Sequence, residues 1–243
     1  MGEKNTFVRL FSDSLAYFSQ NTILAFPPLI LLAVIFLFSK LSTAVNSQLV
    51  NTNSFVIILW FIISALIYLA LTSFFLSGLI GMSKEAIRKK AKIKDFFFYS
   101  KKFWLKNLLV IIIILAVYAL INLISIYGVR FIGQSLGLEI NIATLIFFLV
   151  YFIGLSGILI FLTFSSFYLI INNLKIKESI KNSINLVKKN YTFVLSILII
   201  FFIINQLLEI YLVFWNGLLF ELLSAIFIIP YLSLILTRFV LQK

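Results

Sequence analysis

The sequence predicts an all-α, polytopic membrane bundle: six transmembrane helices in three tandem two-helix repeats, each preceded by an amphipathic helix on the cytoplasmic side. Three observations carry this. The first is composition. Hydrophobic residues make up 63% of the chain and the mean hydropathy is +1.15, against about 45–50% apolar residues in an ordinary globular chain. A soluble protein of 243 residues cannot bury that much apolar surface, so the solvent is lipid. The second is where the charge sits. Of the 20 Lys and Arg residues, 18 fall in segments on one side, leaving Lys40 and Arg130 on the other. The positive-inside rule then puts both termini in the cytoplasm.

The third observation is a stretch used three times. In its clearest copy, Lys175 to Ile200, the residues Ile176, Ile180, Ile184, Val187 and Tyr191 form a stripe on one helical face. Lysines and amides cover the other face, and Asn190 leads straight into an apolar run. Moved back by 83 residues, the frame meets Ile93, Phe97, Trp104 and Leu108, with Lys101 as the exception. KIKE (175–178) then falls on KIKD (92–95), and Ser183 and Asn190 fall on Ser100 and Asn107. A further 86 residues back, Phe7, Phe11, Leu15 and Phe18 form the stripe, and Ser14 and Asn21 keep the Ser-x6-Asn spacing. Three copies at near-equal intervals, each before a membrane-length apolar run, mark an internal repeat (about 5–83, 91–171 and 174–243) within a single domain, 1–243.

Taken in order, Met1 to Gln20 is the first amphipathic helix; a cleaved signal peptide is its rival reading. Asn21 opens the first transmembrane helix, to about Ser39, with Pro27 and Pro28 in its first turns. Lys40 to Ser54 is polar and reads as an outer loop, and Phe55 to Ser83 is the second helix. Ser73, Ser77 and Gly81 give that helix a small-residue face for close packing. Lys84 to Lys106 is the basic centre, its lysines interleaved with Phe96, Phe97, Phe98, Tyr99, Phe103 and Trp104. Beside a membrane this mixture seats rings at the interface and ammonium groups on anionic head groups, and it argues against nucleic acid as partner. Leu108 to about Tyr127 is the third helix, Gly128 to Asn141 a second outer loop, and Ile142 to Ile171 the fourth helix. Tyr191 to about Leu208 is the fifth helix, Asn216 and Gly217 a turn, and Leu218 to Val240 the sixth, kinked at Pro230. Successive repeats run in the same direction, which implies rotation about the membrane normal and pseudo-threefold symmetry.

The chain has no histidine and no cysteine, so no catalytic triad, thiolate metal site or disulfide can form. No Walker-type phosphate loop occurs. The sequence therefore points to no enzyme, cofactor or metal. Asp95 and Glu178 recur in the repeat and read as helix-start or salt-bridge residues. Asn122 and Asn205, each 15 residues after a repeat asparagine, with Gln206 beside the second, read as an interhelical hydrogen bond or as the wall of a cavity. Glu209 and Glu221 flank the last turn and can reach the outer interface near Tyr211 and Trp215.

The segments SLAYFSQN (14–21), SKKFWLKN (100–107) and SINLVKKN (183–190) resemble those of six-helix prokaryotic membrane proteins. These are related to the membrane domain of glycerophosphoryl diester phosphodiesterases and to the YciC-like uncharacterised membrane proteins. The resemblance implies an integral membrane protein without an assigned reaction, because the soluble phosphodiesterase domain has no counterpart here. Mitochondrial carriers also have three two-helix repeats, but their Pro-x-Asp/Glu-x-x-Lys/Arg signature does not occur. The functional expectation is a cytoplasmic-membrane protein that engages anionic lipid or a membrane-protein partner through Lys89, Lys90, Lys101, Lys102, Trp104, Lys188 and Lys189. The alternative is a small-molecule or lipid permease with a pathway near Asn122, Asn205 and Gln206.

Overall fold

The computed structural model describes residues 2–49, 54–136, 157, 160–213 and 217–242, and every regular element among them is helical. Helix α1 (Gly2–Gln20) stops at Asn21, whose backbone leaves the helical region at φ −131° and ψ 51°. Its amide Nδ2 donates back to the Tyr17 carbonyl at 2.9 Å. A 3-10 turn, Thr22–Ala25, leads into α2 (Phe26–Leu49). Pro27 and Pro28 sit in the first turn of α2, where the missing N–H groups have no helical partner to lose. Next come α3 (Ser54–Arg88), α4 (Ile93–Leu136), α5 (Ser165–Ile171), α6 (Ile176–Lys189) and α7 (Tyr191–Val213). The chain ends with α8 (Gly217–Leu223), a π-helical segment (Ser224–Ile228) and α9 (Ile229–Leu241). The π segment immediately precedes Pro230, where the expected irregularity falls: proline removes one ladder N–H, and its ring crowds the carbonyl one turn back.

Thr22–Val45, Ser54–Arg88, Ile93–Tyr127 and Leu219–Leu241 are long and apolar enough to cross a bilayer. A fifth is added if α6 and the start of α7, bent by 95° at their junction, count as one span. The fourth predicted crossing, Ile142 to Ile171, lies largely outside the described residues; its described end is a short apolar helix, Ile160–Ile171.

Both predicted outer loops are shorter than expected. Helix α2 continues through Lys40 to Leu49, because the polar stretch contains no Gly or Pro to break it. Thr43 Oγ1 and Ser47 Oγ donate to the carbonyls of Ser39 and Ala44 within the helix, at 2.9 and 2.7 Å. Helix α4 continues through Gly128 to Leu136, since Gly128 and Gly133 cost a helix only about 1 kcal/mol each. The rest of that loop, 137–141, lies outside the described residues.

The expectation of a separate amphipathic helix before each transmembrane pair holds twice and fails once. Asn21 and Asn190 break the chain in nearly the same conformation (φ −133° and ψ 32° at Asn190), and each donates Nδ2 to the carbonyl four residues back at 2.9 Å. Asn107 does neither. Its Nδ2 turns across to the Ser73 carbonyl on α3 at 3.3 Å, and α4 runs unbroken for 44 residues. The repeated acid does act at helix starts: Lys92 N–H donates to Asp95 Oδ2 at 2.9 Å, and Lys175 N–H to Glu178 Oε2 at 3.4 Å.

Packing is concentrated at the end of the bundle that carries the basic segments. On α3 the buried residues run from Ser73 to Ala86, whereas Phe61, Ile62 and Leu66 are exposed. On α4, Phe96, Phe103 and Val110 are buried, whereas Leu120, Leu123 and Ile124 are exposed. Helix α7 repeats this, with Val194 and Ile197 buried and Phe202 and Leu207 exposed. Exposed hydrocarbon of this extent is stable only in lipid. The expected small-residue face is the seam between α3 and α4: Ser73 Oγ donates to the Trp104 carbonyl at 2.6 Å and Ser100 Oγ to the Phe74 carbonyl at 2.9 Å. Gly78 extends the seam, lying against Phe96 and Ser100.

Candidate functional site: the basic inner face

The amphipathic segments have three faces, not two. In α6 the buried residues are Ser179, Ser183, Leu186 and Val187, while the apolar stripe Ile176, Ile180 and Ile184 is only half-buried and Tyr191 is exposed. The buried face is thus turned roughly a quarter of the way round the helix from the stripe, toward the serine and asparagine of the repeat. The other segments agree. Ser14 and Ser100 are fully buried, whereas Leu15, Ile93 and Phe97 are exposed. Among the described stripe residues only Val187 and Phe18 are buried, so most of the stripe is not the protein-facing side. The serine packs inward, where Ser183 Oγ donates to the Phe161 carbonyl at 2.6 Å. Most of the stripe and the lysines are left on the outer sides of the helix, a disposition that suits a helix lying in a bilayer interface.

Lys90, Lys101, Lys102, Lys188 and Lys189 are all exposed. Lys102 Nζ lies 5.7 Å from the Phe98 ring centroid and 5.1 Å from that of Phe103, with the exposed Phe97 and Phe98 beside it. Trp104 is half-buried, and its carbonyl accepts the Ser73 bond. Lys89 is exposed but paired with Glu85 at 3.1 Å. Lys84 belongs to the basic segment in sequence only: its Nζ donates to the Ile171 carbonyl at 2.7 Å, a cation at the C-terminus of α5.

The acids on this side whose side chains are described are occupied. Glu85 also accepts the Tyr99 hydroxyl at 2.7 Å, Asp95 and Glu178 hold helix starts, and Asp13 is bonded to Arg238. Arg238 was not singled out by the sequence, yet it joins α9 to α1, donating also to the Arg9 carbonyl at 3.1 Å. Tyr231 OH reinforces the junction through the Phe11 carbonyl at 3.0 Å.

Arg238 holds the Asp13 carboxyl below its ordinary value of 3.8, chiefly through their hydrogen bond. A depressed carboxyl pKa contributes stability that is fully present above the unfolded value and is lost as pH falls through the folded one. The thermal stability of the wild type should therefore exceed that of Asp13→Asn by a constant margin above about pH 4 and converge with it at lower pH. A margin independent of pH down to about pH 2 would contradict this.

The amides named for a pathway fall on α4 and α7. Asn122 Nδ2 donates to the Tyr118 carbonyl of its own helix at 2.9 Å. The side chains of Asn205 and Glu209 lie outside those described, and Gln206 is half-buried. A cavity of about 570 Å3 lies elsewhere, among α2, α3, α8 and the π segment. Leu31, Ile35, Phe36, Phe75 and Leu79 line it, with Thr72, Ser224 and Glu221 as polar members. No group of three or more Asp or Glu residues able to hold a metal ion occurs among the described residues.

The chain belongs to the family described as Domain of unknown function (DUF7847), whose model matches residues 11–241. No curated protein and no solved structure matches it.

Proposed function

We propose that this member of a family of unknown function is a non-enzymatic, multi-pass protein of the prokaryotic cytoplasmic membrane that engages anionic lipids through its basic inner face. In this reading the chain crosses six times in three tandem repeats with both termini inside, and the resemblance to the phosphodiesterase-associated membrane domains is one of shared architecture. The repeat is supported by the matched breaks at Asn21 and Asn190, the matched helix starts at Asp95 and Glu178, and the three buried serines.

One observation carries the functional reading. Each described acid of the inner face is already bound, while Lys90, Lys101, Lys102, Lys188 and Lys189 are exposed, Lys102 beside the exposed Phe98 ring. The net positive charge is left for an external anion. A lysine near an anionic leaflet contributes about 1 kcal/mol.

Changing Lys101, Lys102, Lys188 and Lys189 to Gln should sharply reduce the enrichment of anionic over zwitterionic lipid around the purified protein. The readout is lipidomics of the co-purified shell from mixed vesicles at fixed salt. An unchanged ratio would sink the reading. A pathway through Asn122 lacks comparable support, since that amide is spent on its own helix.

A further inference from the structure

Where α1 ends, the inner face folds into a cavity. Asn21 is buried; its Oδ1 accepts the Ala91 N–H at 2.8 Å while its Nδ2 is bonded to Tyr17, which fixes the link between α3 and α4 against the end of α1. The two elements flank an open recess of about 460 Å3. Tyr17, Gln20 and Asn21 line one side, and the consecutive cations Arg88, Lys89 and Lys90 the other. The Arg238 guanidinium lies 5.7 Å from the Tyr17 ring centroid, so a fourth cation stands close by. The neighbouring carboxylates are both spoken for: Asp13 by Arg238, and Glu85 by Lys89 and Tyr99.

We infer that this cavity is a binding site for a phosphate group. Arg88 brings a planar fork of donors, Lys90 a compact charge, and the Gln20 amide and Tyr17 hydroxyl neutral donors. A tetrahedral oxyanion has enough lone pairs to use all of them. The inference rests on the reading of the inner face as anion-binding and goes further by naming one site and one chemical group. The phosphate can belong to a phospholipid head group or to a soluble phosphate ester.

The test uses the full chain in mild detergent, with native mass spectrometry reading retention of dioleoylphosphatidic acid. Arg88→Gln with Lys90→Gln should weaken retention about tenfold or more, since each charged hydrogen bond is worth roughly that factor. Gln20→Leu should weaken it without altering charge, and it decides the matter if the double variant melts early. Lys177→Gln with Lys181→Gln, the same loss of charge at two exposed positions of α6 outside the cavity, should leave retention within about threefold.

Equal losses from both double variants, with no effect of Gln20→Leu, would overturn the site while leaving the basic-face reading intact. No loss in any variant would overturn both. Calorimetric titration with glycerol 3-phosphate and inorganic phosphate separates the sources. Wild-type binding that is lost in the cavity variants assigns a soluble ester, and retention of the lipid alone assigns a head group.

Discussion

Replacing Gly81 with alanine should lower the melting temperature of the detergent-solubilised protein by about 10 °C, equivalent to a loss of roughly 3 kcal/mol. A Cβ built at Gly81 would lie 2.1 Å from Cγ and 2.3 Å from Cβ of Tyr99. The second distance decides the outcome. A ring can rotate away, but Tyr99 Cβ is attached to the α4 backbone, so relief requires the two helices to separate. Separation would also stretch the Ser73–Trp104 and Ser100–Phe74 bonds along the same seam. Adding Tyr99→Ala should restore only part of the loss, because the offending Cβ remains. Gly157→Ala is the control: nothing stands within 4 Å of its added Cβ, and alanine should be neutral or better there. Equal effects at Gly81 and Gly157 would refute the packing argument.

Asn21→Leu should cost about 3 kcal/mol and expose α1 to proteolysis in an otherwise folded protein. Leucine keeps the volume but leaves the Ala91 N–H, bonded at 2.8 Å in a buried setting, without its acceptor. An orphaned buried donor costs about 1–3 kcal/mol, and loss of the Tyr17 bond weakens the break between α1 and the 3-10 turn. The repeat supplies two internal comparisons. Asn107→Leu removes one cross-helix bond to Ser73, and Asn190→Leu removes a bond within its own turn. The expected order of damage is Asn21, then Asn107, then Asn190, measured by thermal melting and trypsin sensitivity of residues 1–20. Equal costs at the three sites would mean that the asparagines share one local role and that the tie to Ala91 contributes nothing.

The repeat in the sequence contained more of the packing than its most conspicuous feature. The stripe of Ile176, Ile180 and Ile184 dominates any search for a buried face, yet these residues are half exposed, while Ser179 and Ser183 are buried. In water the most apolar face of a helix is the one that packs. At a bilayer boundary lipid competes for that face, and small residues that let backbones approach go to the protein side. The Ser-x6-Asn spacing was the better guide.

The acids of KIKD and KIKE were legible as helix starts because the interaction is local, as were the small residues of α3. The pairing of Asp13 with Arg238 was not, since 225 residues separate them and neither position is unusual in its own segment. The continuity of α4 was hidden for a related reason. Whether an asparagine breaks its helix depends on where its amide turns, and at Asn107 that is set by a carbonyl on another helix. Polar residues at Lys40 to Leu49 read as a loop, although polarity alone ends no helix.

Helix α4 is a single rod of 44 residues, about 66 Å long, set beside two counterparts that are hinged at Asn21 and Asn190. A continuous rod can only lean, and its inner third is clamped to α3 by the bonds at Ser73, Ser100 and Asn107. In a bilayer, a change in thickness would act on such a rod as a torque, delivered through α4 to its seam with α3. In a bilayer, an unbroken α4 would thus be the lever between the lipid and the end of the bundle that holds the basic residues.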